Sequence, residues 1–344
     1  MKKMISFVSA ITIFTLFTGC SERKDTRQSN ETRNITQTMY KEERISFPDD
    51  TSGYVSLISL NNSPAMICFT EKGFMLKCFD SELNIIEEKL FYKTEEPAFY
   101  SFRTEANGDI YGAFIRIEAD DSLIGTDEYF ETAESRCSIL RWNRSGKLIS
   151  ETEIINFEDI YTYGKDILTD VISYGEKYIL QFSLGIALVG KNGEIEDYKE
   201  EFGSNYAFGK DTERNTIISD SEGFSYMDEF SLKIPESTVK FDKYVRRIGS
   251  IFSGTDGFKA YFTMNDGIFG LTSSDELVKI VDFRQSQVTG SELTSLVYLE
   301  QGKFLAAGYE SDTGQRYLST LTVRPDDYID NRERKTDKER RNMG

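Results

Sequence analysis

The chain has 344 residues, 39% hydrophobic and 13% aromatic with 5 prolines, and its 58 acidic against 41 basic side chains leave a net charge of −17. Such a length holds one large domain or two ordinary ones with a sizeable core, and the composition is globular and β-leaning. The negative field opposes a nucleic-acid backbone, so no nucleic-acid partner is expected, and the lack of any histidine removes Ser-His-Asp and Cys-His mechanisms together with histidine-ligated metals.

At the N-terminus Lys2 and Lys3 precede the apolar run MISFVSAITIFTLF, which ends at Thr18-Gly19-Cys20. The run is too short and wrongly flanked for a spanning helix and reads as a signal peptide with small residues before the cut. It resembles the bacterial lipoprotein signal, which implies cleavage after residue 19, lipidation of Cys20 by palmitate and further acyl chains, and an anchor on the extracytoplasmic face of the cell membrane. Several acyl chains give stable anchoring. Loss of residues 1–19 removes two lysines and takes the side-chain charge from −17 to −19. Residues 20–42 are polar and almost free of apolar side chains, the composition of a flexible tether.

Beyond the tether a four-strand unit repeats. The units run YVSLISL, PAMICFT, GFMLKCF and NIIEEKLF from Tyr54; AFYSFRT, DIYGAFI, CSILRWN and KLISETEI from Ala98; ILTDVISY, KYILQFS, GIALVGK and EIEDYKEEF from Ile167; YAFGKDT, NTIISDS, GFSYMDEF and LKIPESTVKF from Tyr206. A fifth, RIGSIFSGT, FKAYFTM, IFGLTS and LVKIVDF, begins at Arg247, and a sixth, LTSLVYL, KFLAAGY and QRYLSTLTV, begins near Thr294 and stops one strand short. Turn triplets EKG, SEG, NDG, DTG, RSG and KNG separate the strands where hairpins need positive φ. The strand ERISF, Glu43–Phe47, has no partner beside it in sequence and completes the last unit, which closes the ring and removes exposed edges.

The pattern predicts an all-β six-bladed propeller over residues 43–325, with seven blades or an open sandwich array as alternatives. Those 283 residues divided by 6 give about 47 per blade, near the range of propeller repeats. The tail, residues 326–344, is charge-dense and apolar-poor, as disordered segments are.

The second unit carries an insertion, RIEADDSLIGTDEYFETAESR. Its Glu118, Asp120, Asp121, Asp127, Glu128, Glu131 and Glu134 offer hard oxygen ligands, but the spacing of a calcium loop is missing, so a solvated acidic loop is expected and no metal is assigned. Cys68 and Cys78 fall on neighbouring strands and Cys137 stands apart; buried thiols are the expected state, with a Cys68–Cys78 bridge possible only if both side chains face one way. Paired carboxylates suit glycoside hydrolysis, yet no pair stands out among 58 acidic residues. Sialidase-type boxes, a tryptophan-rich composition, WD marks and paired kelch glycines are all missing. The tyrosines and phenylalanines are expected in inter-blade packing.

The TGC signal, the ISFP entry strand and the blade pattern ending in LSTLTVRPDDY together resemble the N-terminal part of a lipoprotein family of low-GC Gram-positive bacteria. There a lipidated propeller precedes an extracellular solute-binding domain of the kind that feeds ABC transporters. The resemblance implies such a domain after about residue 330, where only 14 residues remain; a stand-alone propeller and a truncated frame both fit. The expected function is a surface-anchored, non-enzymatic binding or scaffold module without cofactor, associated with solute uptake. An envelope-assembly scaffold and a carbohydrate-active enzyme using paired carboxylates are the alternatives.

Overall fold

Short runs rich in β-branched and aromatic residues, cut by Gly, Asn and Asp, form antiparallel hairpins one after another. In the computed structural model the described residues are 40–45, 52–60, 63–95, 97–105, 107–118, 122, 132–161, 166–200, 206–220, 222–227, 239–241, 248–255, 257–264, 267–283, 291–300, 302–310 and 316–323. The signal peptide with Cys20, the tether up to residue 39, Asp120, Asp121, Asp127, Glu128 and Glu131 of the insertion, and the tail lie outside them.

The first described strand is β1 (Tyr40–Ile45). Blade 1 follows as β2 (Ser52–Leu60), β3 (Ser63–Thr70), β4 (Gly73–Phe79) and β5 (Ile85–Tyr92); blade 2 as β6 (Phe99–Thr104), β7 (Ile110–Glu118), β8 (Glu134–Trp142) and β9 (Leu148–Glu153). Blade 3 is β10 (Leu168–Tyr174), β11 (Lys177–Phe182), β12 (Gly185–Gly190) and β13 (Ile195–Glu200), and blade 4 is β14 (Ala207–Lys210), β15 (Thr216–Ser219), β16 (Gly223–Met227) and β17 (Val239–Lys240). Blade 5 is β18 (Ile248–Ser253), β19 (Phe258–Met264), β20 (Gly267–Thr272) and β21 (Leu277–Asp282), and blade 6 holds β22 (Ser291–Glu300), β23 (Lys303–Glu310) and β24 (Arg316–Val323).

Each sheet has four strands, and the sixth has the order β1-β24-β23-β22. The protein is therefore an all-β, six-bladed propeller closed by its N-terminal strand, and the seven-bladed and open-array alternatives are set aside. The register of the closure runs from Tyr40 opposite Val323 to Ile45 opposite Leu318. This strand starts three residues earlier than the expected Glu43–Phe47. The first strands of the blades line the hub: β22 touches β2 and β18, β2 touches β6, β6 touches β10, and β14 touches β18.

Alternation in a strand ordinarily marks one buried face, yet β19 and β12 are buried along nearly their whole length. The reason is that both faces of a blade are covered by neighbouring blades. Six apolar clusters fill the seams between blades. In β3, Ala65, Ile67 and Phe69 face blade 2, while Met66 and Cys68 face blade 6. The outermost strands β9 and β13 have one neighbour in their sheets and stay largely exposed. Trp142 stacks on Phe91 with ring centroids 4.0 Å apart, and Phe74 makes edge contacts with Phe69, Tyr100, Phe102 and Phe114 in the same seam.

A single turn design recurs between the third and fourth strands of four blades, at 80–84, 143–147, 190–194 and 272–276. In each, the first residue's carbonyl accepts from the fourth residue's N–H, and the first N–H donates to the fifth carbonyl. The fourth residue takes the left-handed conformation, as three-residue hairpin loops require. Gly146 (φ 76°) and Gly193 (φ 85°) fill it in RSG and KNG, but Leu83 (φ 66°) and Asp275 (φ 60°) fill it elsewhere. The insertion in blade 2 is shorter than expected, because the β7–β8 ladder continues to Glu118 opposite Glu134. Arg136 lies 3.8 Å from a carboxylate oxygen of each.

Candidate functional site

The first strands of all blades run the same way through the hub, so their C-terminal ends gather at one mouth of the central channel. On blades 2, 3 and 4 those strands carry Arg103, Glu105, Ser173 and Lys210 at or beside these ends, with Asp170 deeper in the hub at the third position of β10 and Tyr111 on the second strand of blade 2.

Arg103 forms the floor. Its Nε donates to Asp170 Oδ1 at 2.8 Å and its Nη2 donates to Asp170 Oδ2. Its Nη1 donates to the carbonyl of Ile251 at 2.8 Å, and the guanidinium stands 5.3 Å from the Phe252 ring centroid. Blades 2 and 5 are opposite one another in a ring of six, so this one side chain spans the hub between them. Asp170 Oδ1 also accepts from the Ser101 hydroxyl at 3.3 Å and the Val171 N–H at 2.8 Å. Both charged side chains are buried, 15% and 8% exposed. Burial works to lower the Arg103 pKa, but the Asp170 carboxylate overrides it and the net shift is upward.

Above the floor, Lys210 Nζ donates to Ser173 Oγ at 2.6 Å and lies 3.8 Å from a Glu105 oxygen. Ser173 in turn hydrogen-bonds to the Tyr111 phenol through its backbone and its hydroxyl. Burial pushes the Tyr111 pKa up to about 12, so the phenol keeps its proton at neutrality. Burial lowers the Lys210 pKa; Glu105 pulls it back, and the Arg214 and Arg103 charges push it down further. The arrangement is a polar cup, with an ion pair at its bottom and an amine, a carboxylate and a hydroxyl relay around it. It offers hydrogen-bond donors and acceptors to a small solute.

At the opposite end of blade 3 sits a second buried carboxylate. Asp166 Oδ1 accepts from Ser183 Oγ at 2.6 Å and from the N–H groups of Ile167 and Leu184 at 2.9 and 3.0 Å. Burial raises its pKa despite those donors. Asp166 ties the entry of β10 to the β11–β12 turn and stands apart from the cup.

None of the cup residues is marked by a sequence motif. Glu105, Ser173 and Lys210 come from three separate repeats, and only the fold sets them side by side. Of the thiols, Cys78 lies opposite Ala65 and Cys68 opposite Met75. Three positions along a strand is roughly 10 Å, beyond disulfide reach, and Cys68, Cys78 and Cys137 are free. Among the described residues no group of three or more Cys, Asp or Glu is placed to hold a metal ion.

Protein families and curated proteins give no match. Solved structures do resemble the chain. The PQQ-bound aldose sugar dehydrogenase from Streptomyces coelicolor is 7% identical, with a TM-score of 0.47 over 83% of this chain and 99% of that one. A putative gluconolactonase is 8% identical, with a TM-score of 0.40 over 83% and 92%. The Trypanosoma rangeli sialidase is 9% identical, with a TM-score of 0.47 over 84% and 57%. At such identities the likeness concerns the fold. The expectation that this chain is not an enzyme is withdrawn, since structures that bear enzyme names stand among these neighbours. That expectation rested on missing motifs of particular classes, and a channel mouth assembled from strand ends needs no contiguous motif.

Proposed function

We propose that this chain is a lipid-anchored propeller on the extracytoplasmic face of the membrane, whose cup binds a small polar solute and is associated with its uptake. The observation that carries the binding role is the convergence of Lys210, Ser173, Tyr111 and Glu105 over the Arg103–Asp170 floor. Ligand sites are concave and hold a few convergent polar groups that fix orientation. The TGC signal and the polar segment behind it support the anchor through Cys20. The test is a thermal-shift screen of small sugars, polyols and amino acids on the purified protein, with product formation followed in the same incubations. At least one solute should raise the melting temperature, and Lys210→Ala should cancel that rise. Were no solute to shift the wild type, the binding role would be wrong. Membrane-fraction mass spectrometry should find acyl groups on Cys20 and lose them in Cys20→Ser.

A further inference from the structure

The Lys210 amine is held unlike the other cations of the cup. Arg103 meets its carboxylate through two nitrogens, whereas the partner nearest to Lys210 Nζ is a neutral hydroxyl at 2.6 Å and its carboxylate stands off at 3.8 Å. Its side chain is 23% exposed, enough for a small molecule to reach from the mouth. Desolvation and adjacent cations are the means by which a lysine becomes a nucleophile, and both act on this one.

We propose that Lys210 captures a small hydroxylated aldehyde as an imine, an inference that rests on the cup being a binding site. The lone pair of the unprotonated Nζ attacks the carbonyl carbon, a C–N bond forms, and the carbonyl π pair moves to the oxygen, which takes up a proton. The resulting carbinolamine loses its hydroxyl as water while the nitrogen gives up its remaining proton, leaving a C=N bond. Amine plus aldehyde yields imine plus water, and nothing is oxidised or reduced. The Glu105 carboxylate is placed to accept the ammonium proton, and the Ser173 hydroxyl is placed to hydrogen-bond the carbinolamine oxygen. The ligand's own hydroxyls find acceptors and donors on the same wall.

Glyceraldehyde with cyanoborohydride is the probe, because hydride from the reagent converts the imine into a stable secondary amine that peptide mapping locates. On the folded wild type at pH 7, Lys210 should be labelled faster than exposed lysines, because burial and the neighbouring cations favour its unprotonated amine. Ser173→Ala removes the hydroxyl placed to hydrogen-bond the carbinolamine oxygen, so Lys210 labelling should slow in that variant while exposed lysines keep their rates, which a lysine that is merely exposed would not show. Labelling of Lys210 at or below the rate of exposed lysines overturns the imine. If a solute still raises the melting temperature in a Lys210-dependent way, the binding role survives that result; if none does, both readings fall together.

Discussion

At the scale of single residues, the buried charges decide most. Arg103 and Asp170 satisfy each other and four further groups between them. Removing one partner of a buried pair leaves an uncompensated charge and costs about 3–5 kcal/mol. Arg103→Leu should therefore destabilise the protein by about that much in urea unfolding, while Arg103→Leu combined with Asp170→Asn should recover a large part of it. A double variant as unstable as the single one would show that Arg103 acts through its reach to Ile251 and not through the pair.

Asp166 makes the opposite case. Its ionised form is penalised by burial, and all three donors meet one oxygen, an acceptor that asparagine also provides. Asp166→Asn should thus be more stable than the wild type at neutral pH. A carboxyl whose folded pKa lies above its unfolded value contributes stability below the unfolded value and loses it as pH rises through the folded one. The advantage of Asp166→Asn should accordingly shrink as pH falls toward 3.8, the ordinary Asp value. Melting temperatures measured from pH 7 down to pH 3.5 check the trend.

At the scale of the element, the recurring hairpin turn is where backbone chemistry and blade packing meet. Gly193 has φ 85°, and a Cβ there would run into the backbone oxygen of Glu153 on blade 2. The Ile155 N–H donates to the Gly193 carbonyl at 2.9 Å. Gly193→Ala should cost about 2 kcal/mol or more, from conformational strain and close approach together. Arg214 occupies the same turn position at 211–215 with φ 73° and no glycine. Relief of left-handed strain, offset in part by glycine's entropy, makes Arg214→Gly stabilising by about 0.5–1 kcal/mol. Calorimetry on the pair should give shifts of opposite sign. The sequence announces the turns at RSG and KNG by their glycines and at SSDE by its polar break in the alternation; at DSEL it does not, because Leu83 is held in place by hydrogen bonds and not by intrinsic preference.

At the scale of the whole molecule, closure is the critical event. The ring is shut by a single strand, β1, through six register pairs with β24. Deleting Tyr40–Ile45 should expose the β24 edge and lower the melting temperature on the order of 10 °C, with aggregation through the new edge. An unchanged melt would mean that blade 6 does without its fourth strand.

The blade count, the hairpin order and the closing strand were legible in the sequence, because each follows from local periodicity and turn chemistry repeated six times. Strand burial was less so: FKAYFTM reads as alternating, yet both faces of that strand are covered by blades far apart in the chain. The cup was not legible at all. Glu105, Ser173 and Lys210 are ordinary residues at the ends of ordinary strands, and Ile251 lies 148 positions from Arg103. What the sequence determines here is the architecture, since the repeat is written in neighbouring residues. What only the tertiary structure decides is the site, since ring closure alone brings strand ends from separate blades within hydrogen-bonding distance around one mouth.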